Sequence, residues 1–177
     1  MLSTQSSIKS LISAIALAGC VLTGLSVRSL AQSNPGLVLW SGVKRENILR
    51  YHLDFNGAPN YWDRYRLKIP KKKLELGVAQ FSISYPDYYD GKFDVDKIEV
   101  RVDGKSLPVS EVVWDKENYS LQIYMEEPVP AKQNVELVLS NVKNPDGGTY
   151  YFVCYVLAAG DIPLPSYIGT WIVSIGR

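Results

Sequence analysis

EPVPAKQNVELVLSNVKNPDGGTYYFVCYVLAAGDIPLPSYIGTWIVSI, residues 127–175, is the stretch from which the fold is predicted most clearly. Val, Leu, Ile and Tyr dominate three runs within it, and Pro, Gly and Asn, which favour turns, occupy the segments between the runs. In the first run Val135, Leu137 and Leu139 recur at every second position, the period of a strand. Residues 150–157 are apolar on both faces, which predicts a central strand that is covered on both sides. The stretch therefore predicts three strands joined by loops.

The same period continues toward the amino terminus. Further strands are predicted at residues 37–43, 49–55, 61–69, 78–85, 98–102 and 119–125. Asp103-Gly104 is a strong hairpin signal, and Pro128 and Pro130 are expected to end the strand before them. No convincing amphipathic helix follows residue 31. We therefore expect an all-β fold, a single β-sandwich with immunoglobulin-like topology over residues 32–177, with a small barrel as the alternative.

Residues 1–31 are predicted to be a cleaved signal peptide. Lys9 precedes an apolar run, and Ser29-Leu30-Ala31 places small residues at the two positions that a signal peptidase reads. The run is too short and too interrupted by Ser, Gly and Thr for a stable membrane span, and the rest of the chain has no candidate span. Cys20, in the sequence LAGC, offers an alternative in which this cysteine is acylated and anchors the protein to a membrane.

Charge and cysteine content restrict the function. Two of the 19 basic residues lie in the leader, so the exported chain carries 17 basic against 18 acidic residues, a balance that argues against nucleic-acid binding. Cleavage after Ala31 leaves Cys154 as the sole thiol, which we interpret as a small buried apolar residue. An antibody-type domain would have a tyrosine two residues before this cysteine, where Phe152 stands, and a second cysteine.

Several motifs resemble those of one protein family. Pro128-Val129-Pro130, Asn144-Pro145 with the following Gly-Gly-Thr-Tyr-Tyr-Phe, and Tyr167-Ile168-Gly169-Thr170-Trp171 resemble the exported cyanobacterial family known as domain of unknown function 2808. Tyr65-Arg66-Leu67-Lys68-Ile69-Pro70 is similar to an earlier strand of that family. The resemblance implies a β-rich fold and export in a cyanobacterium, to the periplasm or the thylakoid lumen. It implies no activity.

One strand face is the candidate interaction surface. Its residues are Trp62, Arg64, Arg66 and Lys68, with Lys71, Lys72 and Lys73 just beyond. Such a surface could dock on an anionic headgroup, an acidic polysaccharide or a protein. Alternatively, the charges protect an edge strand against pairing with another chain.

Exposed aromatic residues would indicate a different function. Trp40, Trp62, Trp114 and Tyr88-Tyr89 could stack on sugar rings, although most aromatic residues in a domain of this size belong to the core. A sugar site would show two or three aromatic residues, co-planar and solvent-facing, beside carboxylates in one groove. If the three tryptophans were all buried, this hypothesis would fail.

Metal and catalytic chemistry are not favoured. Asp87, Asp90, Asp94 and Asp96 offer oxygen ligands for Ca²⁺, but Lys92 lies among them and their spacing is not that of an EF-hand, so a solvated loop is preferred. His52 is the only histidine, too few for a copper or zinc site. We expect no metal, no cofactor and no catalytic residues. The favoured hypothesis is an exported, non-enzymatic protein that binds a protein or envelope component, and the alternative is a carbohydrate-binding module or hydrolase.

Overall fold

The structure is a computed structural model that describes residues 42–160 and 164–176. Eleven strands occur in this part of the chain, together with three single-turn 3-10 helices at Arg45–Asn47, Lys71–Lys73 and Val95–Lys97. The strands are β1 (Ile48–Leu49), β2 (Tyr51–Leu53), β3 (Trp62–Ile69), β4 (Val78–Ser84), β5 (Ile98–Val102), β6 (Lys105–Leu107), β7 (Val109–Asp115), β8 (Ser120–Val129), β9 (Val135–Lys143), β10 (Gly148–Ala158) and β11 (Pro165–Ile175). No α-helix occurs among the described residues.

The strands form two sheets that pack into a sandwich. One sheet has the order β1-β11-β10-β4-β8-β7, and the other has the order β2-β3-β9-β5-β6. Along the second sheet, β2, β3, β9 and β5 occupy the positions of immunoglobulin strands A, B, E and D, while in the first sheet β4, β10 and β11 occupy those of C, F and G. The predicted immunoglobulin-like sandwich is confirmed, and the small barrel is not observed.

Four additional strands, β1, β6, β7 and β8, enlarge this plan. β6, β7 and β8 lie in the chain between β5 and β9, and the β7–β8 hairpin extends the first sheet beyond β4. β7 was not predicted from the sequence, because its period is weak, and its inward positions are only half-buried. The turn at Asp103-Gly104, by contrast, joins β5 to β6 as predicted.

The core lies between the two sheets and is built from the inward rows. Its largest fully buried side chains are Trp171, Tyr65, Phe81, Phe152, Leu67, Ile69, Leu74, Ile83, Leu121, Ile123, Leu137 and Leu139. These residues come from both sheets, since the pleat directs every second side chain of a strand to the same face. Cys154 is one of the core residues, fully buried as predicted.

The alternation predicted for residues 61–69 is also present. The buried positions of β3 include Tyr65, Leu67 and Ile69, and the outward row is the one predicted as the interaction surface. Asp63 occupies an inward position as well and is buried. The reason lies in the loop that precedes β3, because this carboxylate binds its backbone.

Two details of the predicted strands are wrong. β8 does not end before its prolines but continues to Val129, which pairs with Val78. The pairing with β4 is irregular just before that point, so the missing N–H of Pro128 interrupts no regular ladder. β10 is not covered on both sides: Tyr151 and Tyr155 are 42% and 36% exposed on its outer face. A tyrosine row is apolar enough to suggest a buried face, yet its hydroxyls allow it to meet water.

A tyrosine-corner contact lies at the turn between β9 and β10. The Tyr150 hydroxyl donates a hydrogen bond of 2.8 Å to the backbone carbonyl of Asp146, four residues upstream. The tyrosine precedes Cys154 by four residues instead of two, so the contact exists although Phe152 stands where an antibody domain has its tyrosine.

Some predicted features lie outside the described residues. They are the signal peptide of residues 1–31, the alternative lipid anchor at Cys20, Trp40, and most of the strand predicted at residues 37–43. Among the residues that are described, no helix has the length and apolar character needed to span a membrane.

Candidate functional site

An open groove at one end of the sandwich brings together tryptophans from the two sheets. We call it the aromatic groove, and its volume is about 620 Å³. The residues that line it are Trp62, Tyr85, Tyr89, Asp90, Gly91, Lys92, Phe93, Asp94, Val95, Trp114, Lys116, Tyr119 and Asn141. The groove thus combines aromatic faces with carboxylates, ammonium groups and one amide.

Trp62 is the most exposed tryptophan of the described residues. It is the first residue of β3, opposite Lys143 of β9, and 55% of its surface is accessible to solvent. The side chain faces outward because it occupies the polar row of the strand. A large indole ring in that position is available to a ligand.

Trp114 forms a side wall of the same groove and is held in place. Its Nε1 donates a hydrogen bond of 2.7 Å to the hydroxyl of Tyr85, and Phe93 packs edge-on against it with ring centroids 5.3 Å apart. Lys116 lies over the indole, with Nζ 4.3 Å from the ring centroid. The ring orientation is therefore fixed, and a flexible cation covers one of its faces.

Buried aromatic residues support the groove from below. Tyr89 and Phe93 stack with ring centroids 5.4 Å apart, and both pack against Phe152 of the core. Burial raises the pKa of Tyr85, and it raises the pKa of Tyr89 well above the ordinary range. Both phenols are therefore neutral at physiological pH, so the base of the groove carries no phenolate charge.

The loop between β4 and β5 is anchored to β9. Lys92 and Lys143 exchange two backbone hydrogen bonds of 3.0 and 2.9 Å, and Asn141 Nδ2 donates to Asp94 Oδ2 at 2.7 Å. Asp90 is exposed on the same loop. These contacts hold the polar groups of the groove beside the tryptophans, so the site does not depend on a free loop.

A smaller depression continues on the other side of Trp62. It has a volume of about 320 Å³ and is lined by Phe55, Trp62, Asp63, Arg64, Lys97, Ser140 and Asn141. Trp62 and Asn141 border both depressions. The indole therefore stands as a ridge within a longer binding surface.

The positive charge of the predicted basic strand is partly neutralised by its neighbours. Arg66 donates to both carboxylate oxygens of Asp54, at 2.8 and 3.1 Å, and its Nη1 lies 3.3 Å from Glu136 Oε2. Arg64 Nη1 lies 3.5 Å from Asp54, and Lys68 Nζ lies 3.9 Å from Glu136. The three cations thus share two carboxylates.

The ion pair between Arg66 and Asp54 also shifts the pKa values of both groups. The hydrogen bond from Arg66 lowers the pKa of Asp54, and the same contact raises the pKa of Arg66.

β3 lies between β2 and β9, so the interpretation of these charges as protection of an edge strand is wrong. The arginines also cover Val138, which is buried on this outer face although it lies outside the core.

A buried polar cluster below Trp62 was missed by the sequence analysis. Asp63 accepts hydrogen bonds from the backbone amides of Phe55 and Gly57 at 2.9 and 2.8 Å, and from that of Arg64. Asn144 accepts from the Tyr65 hydroxyl at 2.7 Å and donates to the Ala58 carbonyl at 2.9 Å. The signal in the sequence was Asp63 itself, the one acidic residue in an otherwise apolar row.

The remaining candidates are not assembled into a site. Among the described residues, no three His, Cys, Asp or Glu side chains converge in a way that could hold a metal ion. His52 is exposed, with Nε2 3.7 Å from Asp54 Oδ1. Burial raises the pKa of the Cys154 thiol, which disfavours its nucleophilic form.

The family can be assigned from the sequence as a whole. Residues 38–175 match the profile of the family described as "Protein of unknown function (DUF2808)". The chain belongs to this family. No match was found among curated protein sequences.

Solved structures of similar shape are distant in sequence. The structure entitled "Crystal structure of BslA - A bacterial hydrophobin" is 13% identical, with a TM-score of 0.47 over 73% of this chain and 92% of that one. An uncharacterized Nocardia farcinica protein with an immunoglobulin-like fold is 11% identical, with a TM-score of 0.45 over 73% and 98% of the two chains. BcpA, the major pilin subunit of Bacillus cereus, is 12% identical, with a TM-score of 0.42 over 72% of this chain and 39% of that one. Identities this low carry no information about function.

Proposed function

We propose that this protein is an exported, non-enzymatic binding module whose aromatic groove binds a glycan of the cell envelope. One observation carries the proposal: Trp62 and Trp114, from different sheets, line one open groove together with Asp90, Asp94 and Asn141. Sugar rings present apolar faces that stack on indole and hydroxyl groups that pair with carboxylates and amides. The groove offers both kinds of contact within one surface.

The sugar hypothesis would fail if the candidate tryptophans were all buried, and those that line the groove are not. Trp62 is more than half exposed and Trp114 is half-buried, so neither of these two tryptophans is a fully buried core residue as Trp171 is. Tyr119 adds a further exposed ring beside them. These facts support the carbohydrate-binding alternative over binding through the basic strand alone.

The residues of the predicted interaction surface have two roles in this proposal, ligand contact and support of the strand. Trp62 would stack on the ligand, and Arg64, whose Nε donates to Ser140 Oγ at 3.0 Å, would bind it from the smaller depression. Arg66 and Lys68 lie farther along β3 and are engaged with Asp54 and Glu136. We assign them to holding the strand and not to the sugar itself.

Replacing Trp62 tests the proposal. In affinity electrophoresis through gels that contain xylan, laminarin, dextran or alginate, we expect the wild-type protein to be retarded by at least one polysaccharide. Trp62→Ala should weaken that binding by about tenfold or more, since a central aromatic residue commonly dominates a binding surface.

Tyr61→Ala is the matched control. Tyr61 is adjacent in sequence and 71% exposed, but it does not line the groove. It should leave retardation unchanged. Equal binding by Trp62→Ala and wild type, or retardation by none of the polysaccharides, would contradict the proposal.

Export is part of the proposal. A leader at residues 1–31 would deliver the sandwich of residues 32–177 to the periplasm or the thylakoid lumen of a cyanobacterium, with an acylated Cys20 as the alternative. An envelope glycan is a ligand that such an exported domain would meet.

A further inference from the structure

A second groove lies at the other end of β3, far from Trp62. We call it the basic groove, and its volume is about 880 Å³. It lies beside β1 and the beginning of β9 and shares no lining residue with the aromatic groove. Its cationic side chains are Arg45, Arg50, Lys68, Lys72, Lys73 and Arg101.

Part of this positive charge is not neutralised by neighbouring residues. Three carboxylates, Glu46, Asp103 and Glu136, also line the groove. Lys68 approaches Glu136, and Arg101 binds Glu99 outside the groove at 2.8 Å. Arg45, Arg50 and Lys72, by contrast, are exposed and form no ion pair with any residue that the structure describes. The groove therefore has three cations available for an anionic ligand.

The base of the groove is aliphatic. Leu49, Ile69 and Val135 are buried there, and Ile48 is 44% exposed at its edge. No aromatic residue is found among the described residues that line it. A sugar ring would lack a stacking surface here, whereas an aliphatic side chain of a peptide could pack on the exposed Ile48 and the half-buried Pro70.

The chain around the groove is held by specific contacts. The Arg50 carbonyl accepts a hydrogen bond of 2.9 Å from the Lys68 amide, at the point where the chain passes from β1 to β2. Lys73 Nζ donates to Asn47 Oδ1 at 2.7 Å, which links the 3-10 turn after β3 to the turn before β1. The backbone that carries these cations is thus held in place before a ligand binds.

We infer that the basic groove is a docking site for an acidic, aliphatic peptide segment of a partner protein. The arginines present planar forks that match carboxylates, and Ile48 and Pro70 provide the accessible apolar surface on which an aliphatic side chain of the peptide packs. Carboxylates among the lining residues disfavour a ligand whose negative charge is dense, such as a polyphosphate, and match one whose acidic groups are spaced apart. This site goes beyond the proposed function, since it involves another surface and another class of ligand.

A fluorescent peptide titration tests the inference. The probe is a short synthetic peptide in which glutamates are separated by leucine and serine, and the full-length mature protein is titrated into it at low and at physiological salt. We expect saturable binding that weakens as salt is raised. Arg50→Glu/Lys72→Glu should weaken binding by about tenfold or more, because two attractive contacts become repulsive.

Two variants separate this site from other effects. Lys97→Glu/Lys116→Glu makes the same change in net charge at the other end of the sandwich and should bind the peptide nearly as well as wild type. Trp62→Ala should bind it unchanged, so a failure of the glycan proposal leaves this result intact. A peptide with the glutamates replaced by glutamine should not bind.

Three outcomes would overturn the inference. Equal losses in the two charge-reversal variants would show a net-charge effect. Tighter binding of alginate than of the peptide, abolished by Arg50→Glu/Lys72→Glu, would assign the groove to a polyuronate. Tighter binding of vesicles that contain phosphatidylglycerol, abolished by the same variant, would assign it to a membrane surface.

Discussion

At the scale of single residues, Asp63 is the clearest case of a polar group that the fold requires. Its carboxylate is 1% exposed and is hydrogen-bonded to three backbone amides, two of them in the turn that joins β2 to β3. A buried carboxylate is tolerated only with such partners. Trp62 is its neighbour in the chain, so the same contacts position the start of the candidate site.

Replacing this carboxylate should destabilise the whole domain. We expect Asp63→Ala to lower the free energy of unfolding by about 3 kcal/mol, because the buried amides lose their acceptor. Urea denaturation followed by tryptophan fluorescence measures this. Asp87→Ala, a change of the same kind at an exposed position, should cost less than about 0.5 kcal/mol. Similar stabilities for the two variants would refute the structural role of Asp63.

The alternation of side chains along a strand could be predicted from the sequence more readily than the contacts that individual side chains make. The period of two predicted the outward row from Trp62 to Lys68, but not that Asp54 and Glu136 neutralise its centre. Asp54 directly follows β2 and Glu136 lies on β9, and a contact between neighbouring strands depends on register, which a single sequence does not determine.

At the scale of elements, the start of the sandwich depends on a close approach of two backbones. β1 runs parallel to β11, with Ile48 opposite Thr170. A Cβ added to Gly169 would lie 2.6 Å from the Asn47 carbonyl oxygen and 2.8 Å from Leu49 Cγ. Only glycine lets β1 come this near to β11.

Gly169→Ala should therefore detach β1 while the rest of the sandwich stays folded. We expect faster hydrogen exchange at the amides of Ile48 and Leu49 and a loss of stability of about 1–3 kcal/mol. In Gly160→Ala the new Cβ meets no atom within 4 Å, so exchange in β1 should be unaffected. Unchanged protection of β1 in Gly169→Ala would show that the contact is not limiting.

The strands with strong periods were predicted, and those without one were not. β3, β4, β5 and β9 appear where the alternation placed them. β7 was missed, and β8 is longer than expected because Pro128 sits where the ladder with β4 is already irregular. The rule that proline ends a strand holds for a regular ladder of hydrogen bonds, and it fails where the pairing with a neighbouring strand contains a bulge.

At the scale of the whole molecule, the two grooves occupy opposite ends of β3. The aromatic groove could be expected only in outline, because Trp62 and Trp114 are separated by many residues and meet through the sheet order. The basic groove was even less predictable, since its cations come from the segments around β1, β3 and β5. Composition shows a nearly neutral chain and hides this local separation of charge.

The signal peptide proposed for residues 1–31 leads to a prediction for the mature protein. An intact mass measured after expression in a cyanobacterium should correspond to a chain that begins at Gln32, since small residues precede that position. A mass that corresponds to an acylated chain beginning at Cys20 would replace this site with a lipid anchor.

The parallel pairing of β1 with β11 determines how the domain would respond to tension. If Gly42 and Gly176 were pulled apart, the force would act along both strands in opposite directions, because they run side by side with the same polarity. The hydrogen bonds between Ile48–Leu49 and Thr170–Trp171 would then be loaded together in shear, not opened one after another. If the domain were tethered at one terminus and loaded at the other, the pairing of β1 with β11 would be the contact that resists the force.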